Sequence, residues 1–439
     1  MFLDAPGGYG KSTLLQVVAA DARSKGDIVL CVASSGIAAL NLDGGTTAHS
    51  MFKLPLDLGD GTGYWNLRNT QQRADLIREA KLIIFDEISM AHKFLIEILD
   101  RSLQDLMGTN EVLGGKVCLF AGDFRQIPPV VPSAKTPSDV VFASLKCSHL
   151  WPHFRQFRLT VPQRTRSDDE YSSFLLSVGN DTLPQHVFGE GDNTDKVIAL
   201  HGIRSVEKLD ELIASVYPPD ILRDPDASST RAILCAHNVN VREINSAVMA
   251  KLPGGVQQLV SVDTIDKEME GVDIDIDTLH LAEGKGVPNH ILDLKIGAVC
   301  MIMRNLNMSE RLVNGTKVIV EGISPRLVTV RKPGTQELIA IPRILFRFPV
   351  LEGSPLQMCR RQFPLQVCYG MTVHKSQGQT IFKVGLDLRS DCFTHGQLYV
   401  ALSRTRRSDD VTVLGAPDRC VDNITYVRNI VYQELLDNT

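Results

Sequence analysis

The stretch Asp4-Ala5-Pro6-Gly7-Gly8-Tyr9-Gly10-Lys11-Ser12-Thr13 lies between a short apolar start, Met1-Phe2-Leu3, and an apolar-periodic run, Leu14 to Ala20. That order predicts a strand, a glycine loop and a helix. It fits the relaxed P-loop pattern, with Ala5 in the place of the first glycine. Successive backbone N–H groups in such a loop converge on an anion, and the helix that follows adds the positive end of its dipole. The predicted phosphate cradle is Gly7, Gly8, Tyr9, Gly10, Lys11, Ser12 and Thr13. Lys11 would reach the β- and γ-phosphates of a nucleotide, and Ser12 would set its hydroxyl on Mg²⁺. The bland alternative is a glycine turn before a helix; Gly-Lys-Ser at a strand-to-helix junction argues against it. A loop lysine is no part of a core, so Lys11→Ala is expected to remove hydrolysis and leave the fold intact.

Further strands follow in the same style. Asp27 to Ala33 reads as a buried parallel strand, broken by Ser34-Ser35-Gly36, with a short helix over Ile37 to Leu42. Gly44 to Phe52 then combines small hydroxyl residues with a histidine, a composition that suits phosphate and sugar contacts and equally a solvated loop. Residues 53–74 are irregular and look like an excursion from the sheet; helix signals resume over 73–81. Leu82-Ile83-Ile84-Phe85-Asp86-Glu87 is an apolar strand ending in two carboxylates, the form of a Walker B site. Asp86 would hold Mg²⁺, and Glu87 would polarise the attacking water as general base. Phe94 to Met107 has helical periodicity. Lys116 to Ala121 is a third buried strand, followed by Gly122-Asp123-Phe124-Arg125-Gln126, where Gln126 is placed to sense a γ-phosphate. Strands alternating with helices predict a doubly wound parallel sheet with its ligand at the strands' carboxyl ends.

The chain's 439 residues suffice for two or three domains. A net charge of −5 excludes a globally basic nucleic-acid coat, but a narrow DNA channel needs only local lysines and arginines. Nine cysteines without a C-x-x-C pair read as reduced core thiols of an intracellular compartment; Cys31, Cys118 and Cys235 lie in apolar strand-like runs. No apolar run approaches the roughly 18 residues of a membrane span. No signal peptide precedes the P-loop, and the abrupt start reads as a missing upstream region.

Gly122-Asp123-Phe124-Arg125-Gln126, Ser35-Gly36-Ile37-Ala38-Ala39-Leu40-Asn41 and Phe85-Asp86-Glu87-Ile88-Ser89-Met90 together resemble superfamily 1 DNA helicases. The likeness is to the petite-integration-frequency (PIF-type) family, in the branch found in Helitron transposons. The second half continues it. Leu159 to Arg164 is similar to the family segment whose arginine contacts the γ-phosphate, and Arg164 is the matching position. Arg231 to Cys235 reads as a strand and Val239 to Ala250 as a helix of the second motor core. Asp263 to Asp277 is acidic and reads as a solvated loop. From Leu294 to Val350 β-rich runs, Val299–Met303, Lys317–Glu321 and Leu327–Val330, are split by turn residues and read as a small β-barrel-like insertion. Tyr369 to Thr380 and His395 to Arg404 carry the most specific likeness after the P-loop. In the family Arg404 is an arginine finger, with Gln397 and Tyr399 as its supports. Ile424 to Leu436 reads as a terminal helix.

The resemblance implies an α/β fold of two RecA-like P-loop NTPase domains with parallel sheets, ATP between them, and a small β-rich insertion in the second. The expected boundaries are 1–155 for the first motor domain, 156–285 with 365–439 for the second, and 286–364 for the insertion. It implies an ATP-dependent DNA helicase that couples Mg-ATP hydrolysis to 5′-to-3′ movement on single-stranded DNA and unwinds tailed duplexes, with roles in repair, recombination and telomere maintenance. Lys11, Glu87, Gln126, Arg164 and Arg404 would be catalytic, with Ser12 and Asp86 on Mg²⁺. Thr47, His49, Phe52, Thr372, His374 and Lys375 would meet DNA. The nucleus or the mitochondrion is the expected compartment, and no protein partner is identifiable. Three departures stand out: Ala5, Tyr9 in the place of a small threonine, and no adenine-clasping glutamine motif ahead of Asp4. They motivate the alternative of a transposon-derived DNA-binding relic with weak or no ATPase activity. An unrelated P-loop kinase would have no use for Arg404.

Overall fold

The computed structural model describes residues 1–55, 57–67, 71–132, 134–188, 194–266, 276–351, 353–354 and 356–437. The chain forms two compact units. One comprises Met1–Glu207, Ser376–Phe382 and Leu386–Thr439; the other comprises Lys208–Lys375 and Lys383–Gly385.

The first unit is built on six parallel strands. They are β1 (Phe2–Asp4), β2 (Val29–Ala33), β3 (Thr46–Thr47), β4 (Leu82–Asp86), β5 (Val117–Gly122) and β6 (Gln156–Arg158), in the order β3-β2-β4-β5-β1-β6. The register sets Leu3 beside Ala121 and Val32 beside Phe85. Helices α1 (Lys11–Ser24), α2 (Gly36–Leu40), α3 (Ala48–Phe52), α4 (Gln71–Glu79) and α5 (Lys93–Met107) alternate with the strands. A sheet covered on both faces needs apolar residues on both sides of each strand, and alternate residues of β4 divide in that way. Ile83 and Phe85 join a cluster with Phe120, Leu99 and Trp151, while Leu82 and Ile84 join one with Leu15, Ala19 and Ala121.

Because all these strands run the same way, β1, β4 and β5 end side by side. Their ends carry the P-loop, Asp86-Glu87 and Asp123 to Gln126. The sequence periodicity predicted β1, β4 and β5 to within a few residues, while β3, α3 and β6 carry no such signal.

Two expectations need correction. The C-terminal segment is not one helix: Ile424–Val427 is a strand paired antiparallel with Asp195–Ala199, and only Gln433–Leu436 is helical. Ile-Thr-Tyr-Val is β-branched and aromatic, a composition that fits a pleated surface better than a helix. Asp263 is not in a solvated loop either. It sits in the strand Val262–Ile265, paired with Gln357–Gln362, and is buried. Of the rest of that expected loop, 267–275 lies outside the described residues, and Ile276 opens the helix Ile276–Leu281.

The second unit pairs Arg231–Cys235 in parallel with Gly370–Thr372, beside the helix Asn238–Lys251. The other sheets described in this unit are antiparallel. Leu338–Pro342, Leu327–Arg331, Lys317–Ile323, Val299–Ile302 and Leu365–Val367 form a five-stranded sheet in that order, and the three β-rich runs expected from sequence lie in it. A three-stranded sheet joins Val262–Ile265, Gln357–Gln362 and Ile344–Pro349. All nine cysteines are free. Among the described residues no helix is long and apolar enough to cross a membrane.

Candidate nucleotide site and the family of the chain

The P-loop turns on glycine. Gly8 and Gly10 have φ of +87° and +84°, the left-handed region that residues with a Cβ rarely enter. From there α1 starts at Lys11, so Lys11 stands on the first turn rather than in open loop. It is 8% exposed. Its ammonium contacts Asp86 Oδ1 and lies 2.8 Å from Glu87 Oε1. Burial opposes the charge, but the two carboxylates overcome it and hold the lysine protonated, above its ordinary range.

Glu87 follows β4 with a φ of +54°. That turn swings its side chain back to Lys11, and its backbone N–H donates to Asp86 Oδ1 at 2.8 Å. Burial is the main influence on the Glu87 carboxyl and raises it. Its Oε2 is buried without a partner. Ser12 is half-buried and Thr13 exposed. Tyr9 is 9% exposed, its phenol pushed up by burial.

Beside these lies the end of β5. Gln126 is buried, with Nε2 donating to Asp123 Oδ2 at 3.3 Å and Oε1 unpartnered. Arg164 reaches the loop from another side: the backbone N–H groups of Gln163 and Arg164 both donate to Gly8 O at 2.9 Å. The Arg164 side chain donates to Ser403 O at 2.6 Å, and burial, then Arg404, lowers it to about 10. Arg404 is 2% exposed and donates to Val400 O, Gln379 O and Ser403 Oγ at 2.8, 3.2 and 2.7 Å. Within the first unit, then, Lys11, Asp86, Glu87, Gln126, Arg164 and Arg404 gather round the P-loop. Arg404 is buried and Arg164 half-buried, and two close guanidiniums held away from water are costly unless something anionic joins them.

Residues 1–187 match the PIF1-like helicase family, and residues 281–323 match the 2B domain of DNA helicase Pif1. The chain belongs to the PIF1-like helicase family. It is 28% identical over 434 residues to a zebrafish (Danio rerio) protein named ATP-dependent DNA helicase PIF1, covering 96% of this chain and 59% of that protein. The chain therefore spans about three-fifths of the length of that relative. A Bdellovibrio bacteriovorus protein named ATP-dependent DNA helicase Pif1 is 29% identical over 424 residues, covering 96% of this chain and 85% of the relative. A Bacteroides Pif1 helicase solved in complex with ADP-AlF3 and single-stranded DNA superimposes with a TM-score of 0.65 at 25% identity. That match covers 94% of this chain and 87% of that one. The fold of this PIF1-like chain is the α/β, RecA-like one with parallel sheets.

The predicted DNA contacts divide between the units. In the first, Thr47 ends β3 and caps α3, its Oγ1 accepting from Ser50 N at 3.3 Å. His49 lies two residues on, its imidazole lowered by burial. Phe52 is fully buried, its ring stacked on Trp65 at 6.1 Å in the core. It offers no face to a base, because α3 turns its last apolar residue inward. In the second unit Thr372 ends a strand and His374 and Lys375 lie on the 3₁₀ turn that follows, all three half-buried. Burial lowers both His374 and Lys375, and Lys375 Nζ donates to Gln366 Oε1 at 2.9 Å.

Asp123 was missed in the sequence. It is fully buried and takes Arg125, Gln126 and Tyr399 on its carboxylate. In sequence it stands at the end of an apolar strand inside the Gly122 to Gln126 string, with no role of its own assigned. In the second unit Asp263, His280 and His290 bring three donor atoms within 4.8 Å. Both oxygens of Asp263 already accept from Arg360, a guanidinium that a dication would have to face, so the cluster reads as a structural hub.

Proposed function

We propose that this chain is an ATP-dependent DNA helicase that couples ATP hydrolysis to 5′-to-3′ movement along single-stranded DNA and unwinds tailed duplexes. The observation that carries the reading is the convergence of Lys11, the Asp86-Glu87 pair, Gln126, Arg164 and Arg404 on a loop whose glycines are shaped as an anion cradle. The donor set fits a hard cation: the Asp86 carboxylate and the Ser12 hydroxyl are the oxygen ligands Mg²⁺ prefers. Bound there, Mg²⁺ would neutralise charge on the nucleotide's phosphates. Lys11, which now lies on the carboxylates, would turn to the β- and γ-phosphates. Glu87, buried and poorly solvated, would accept the attacking water's proton. Arg164 and Arg404 would answer the charge that grows as the terminal phosphate leaves.

Thr47, His49, Thr372, His374 and Lys375 are the proposed DNA contacts. The motor domains are proposed at 1–155 and at 156–285 with 365–439, and the β-rich insertion at 286–364. Repair, recombination and telomere maintenance, in the nucleus or the mitochondrion, follow from the same reading.

The test is ATPase activity of the purified chain with and without single-stranded DNA, beside Glu87→Gln, followed by strand displacement on 5′- and 3′-tailed duplexes. DNA-stimulated hydrolysis lost in the variant, with displacement from the 5′ tail, is expected. A folded chain that binds DNA without hydrolysing ATP would instead favour the relic reading.

A further inference from the structure

The helix Gln397–Leu402 approaches the nucleotide site more closely than ordinary side chains would permit. A Cβ on Gly179 would lie 3.0 Å from both Tyr399 Cδ2 and Arg125 Cδ. A Cβ on Gly396 would lie 2.2 Å from the Arg125 carbonyl oxygen. Glycine at these two positions lets the Tyr399 ring settle against the segment after β5, where it is 1% exposed.

The Tyr399 hydroxyl makes two bonds there. It accepts from the Gly7 backbone N–H at 2.9 Å and donates to Asp123 Oδ2 at 3.1 Å. Burial raises the phenol well above its ordinary value, so it remains a donor. Asp123 Oδ2 also accepts from Gln126 Nε2. An ionised carboxylate only accepts, so the amide of Gln126 must turn its nitrogen to Asp123 and leave its oxygen free. That oxygen is the buried, unpartnered Oε1. A free carbonyl oxygen can accept from water but not from a phosphate oxygen, which has no proton to give.

We infer that Tyr399 is a positioning residue of the hydrolytic site: its hydroxyl joins Gly7 of the P-loop to Asp123 and so holds Gln126 with its carbonyl oxygen ready to accept from the attacking water. The inference rests on the proposed ATPase reading and deepens it. Tyr399 touches no phosphate. It couples three parts of one unit: the start of the P-loop, the end of β5, and the helix that precedes Arg404. Gln126, read from sequence as a γ-phosphate sensor, becomes the group that aims the water.

The experiment is a double-mutant cycle on DNA-stimulated ATPase with Tyr399→Phe, Gln126→Ala and the pair. Phenylalanine fills the same recess and removes only the hydroxyl. Each single change is expected to lower kcat by about 10- to 100-fold, the range a lost buried hydrogen bond spans, while the KM for ATP moves little. The double variant should fall no further than Gln126→Ala alone, because the two act in series. A merely structural tyrosine would give effects that multiply. Wild-type kcat in Tyr399→Phe, or multiplying losses, overturns the inference. Should Tyr399→Phe unfold, Gln126→Ala carries the test: a raised KM with unchanged kcat marks a phosphate contact and overturns the water-aiming role. A wild-type chain that hydrolyses no ATP fails the proposed function itself, a separate outcome from an active wild type beside an unaffected variant.

Discussion

Lys11 and Glu87 face each other 2.8 Å apart inside the first unit, and the same ammonium contacts Asp86. The P-loop lysine is thus the counter-charge of a buried acidic pair as well as a phosphate ligand. Lys11→Ala should abolish ATP hydrolysis, and it should also leave two buried carboxylates without the ammonium that touches both. Breaking a buried pair in this way costs about 3–5 kcal/mol. The expectation of an intact, unperturbed fold, drawn from a loop lysine, is therefore replaced by one of a destabilised fold. Urea unfolding of the first unit would show it as a lower midpoint in Lys11→Ala. In Lys11→Ala/Asp86→Asn, which removes one of the two stranded charges, much of that loss should return while hydrolysis stays absent.

Arg404 lies against three acceptors supplied by its own neighbourhood, Val400 O, Gln379 O and Ser403 Oγ. The fork is held in place before any nucleotide arrives. Lysine cannot reproduce several donors in fixed geometry. Arg404→Lys and Arg404→Ala should both lower DNA-stimulated kcat by about 1,000-fold, the lower end for an arginine finger. ADP, which lacks the phosphate that the finger serves, should bind all three proteins with similar affinity. Steady-state ATPase with calorimetric ADP titration checks both halves, and an unchanged kcat in either variant would remove Arg404 from the site.

The strands and the loop were legible because their signals are local. Leu82 to Asp86 is an unbroken apolar run that ends on acids, and Gly-Lys-Ser follows a strand within a few residues. What escaped the sequence depends on partners far along the chain. Lys11 is buried only because Asp86 and Glu87 come to it from β4. Phe52, expected from sequence to meet DNA, is core, because Trp65 covers it. Tyr399 was legible as a support for Arg404, but its hydroxyl's two partners, Gly7 and Asp123, become visible only once Gly179 and Gly396 let the helix close in. Asp263 sits in an acidic run that reads as solvated, since nothing local announces Arg360.

Gly8 and Gly26 share one backbone conformation, with φ of +87° and +84°, and differ in what surrounds them. A Cβ on Gly26 would meet nothing within 4 Å, whereas one on Gly8 would lie 2.7 Å from Arg164 Cβ. Alanine at either site should cost about 1–2 kcal/mol for the left-handed backbone. Only Gly8→Ala should also push Arg164 off the loop and impair hydrolysis. Comparing the two variants separates strain from displacement. A stability loss at least as large and a much greater ATPase loss are expected in Gly8→Ala; equal ATPase activity would show that the Gly8–Arg164 approach has no part in turnover.

Asp263 and Arg360 hold the antiparallel part of the second unit together. The guanidinium is 1% exposed and donates to Asp263 through Nε at 3.0 Å and Nη2 at 2.8 Å, and it also donates to the carbonyls of Leu279, Ala282 and Pro288. Burial works to raise the Asp263 carboxyl, but the hydrogen bonds from Arg360 and Ser261 prevail and hold it below its ordinary value of 3.8. A carboxyl lowered in the folded state stabilises fully above that ordinary value, and its contribution drains away as pH falls toward the folded one. Arg360→Met should strand Asp263 and cost about 3–5 kcal/mol at neutral pH. Asp263→Leu/Arg360→Met, which removes both charges, should recover much of it. Urea midpoints of the second unit's transition between pH 7 and pH 3 test the sign. The wild type should lose more stability on acidification than the charge-free pair, because only the wild type has this carboxylate to protonate. A charge-free variant with the same acid dependence would mean that the Asp263–Arg360 contact contributes nothing at neutral pH.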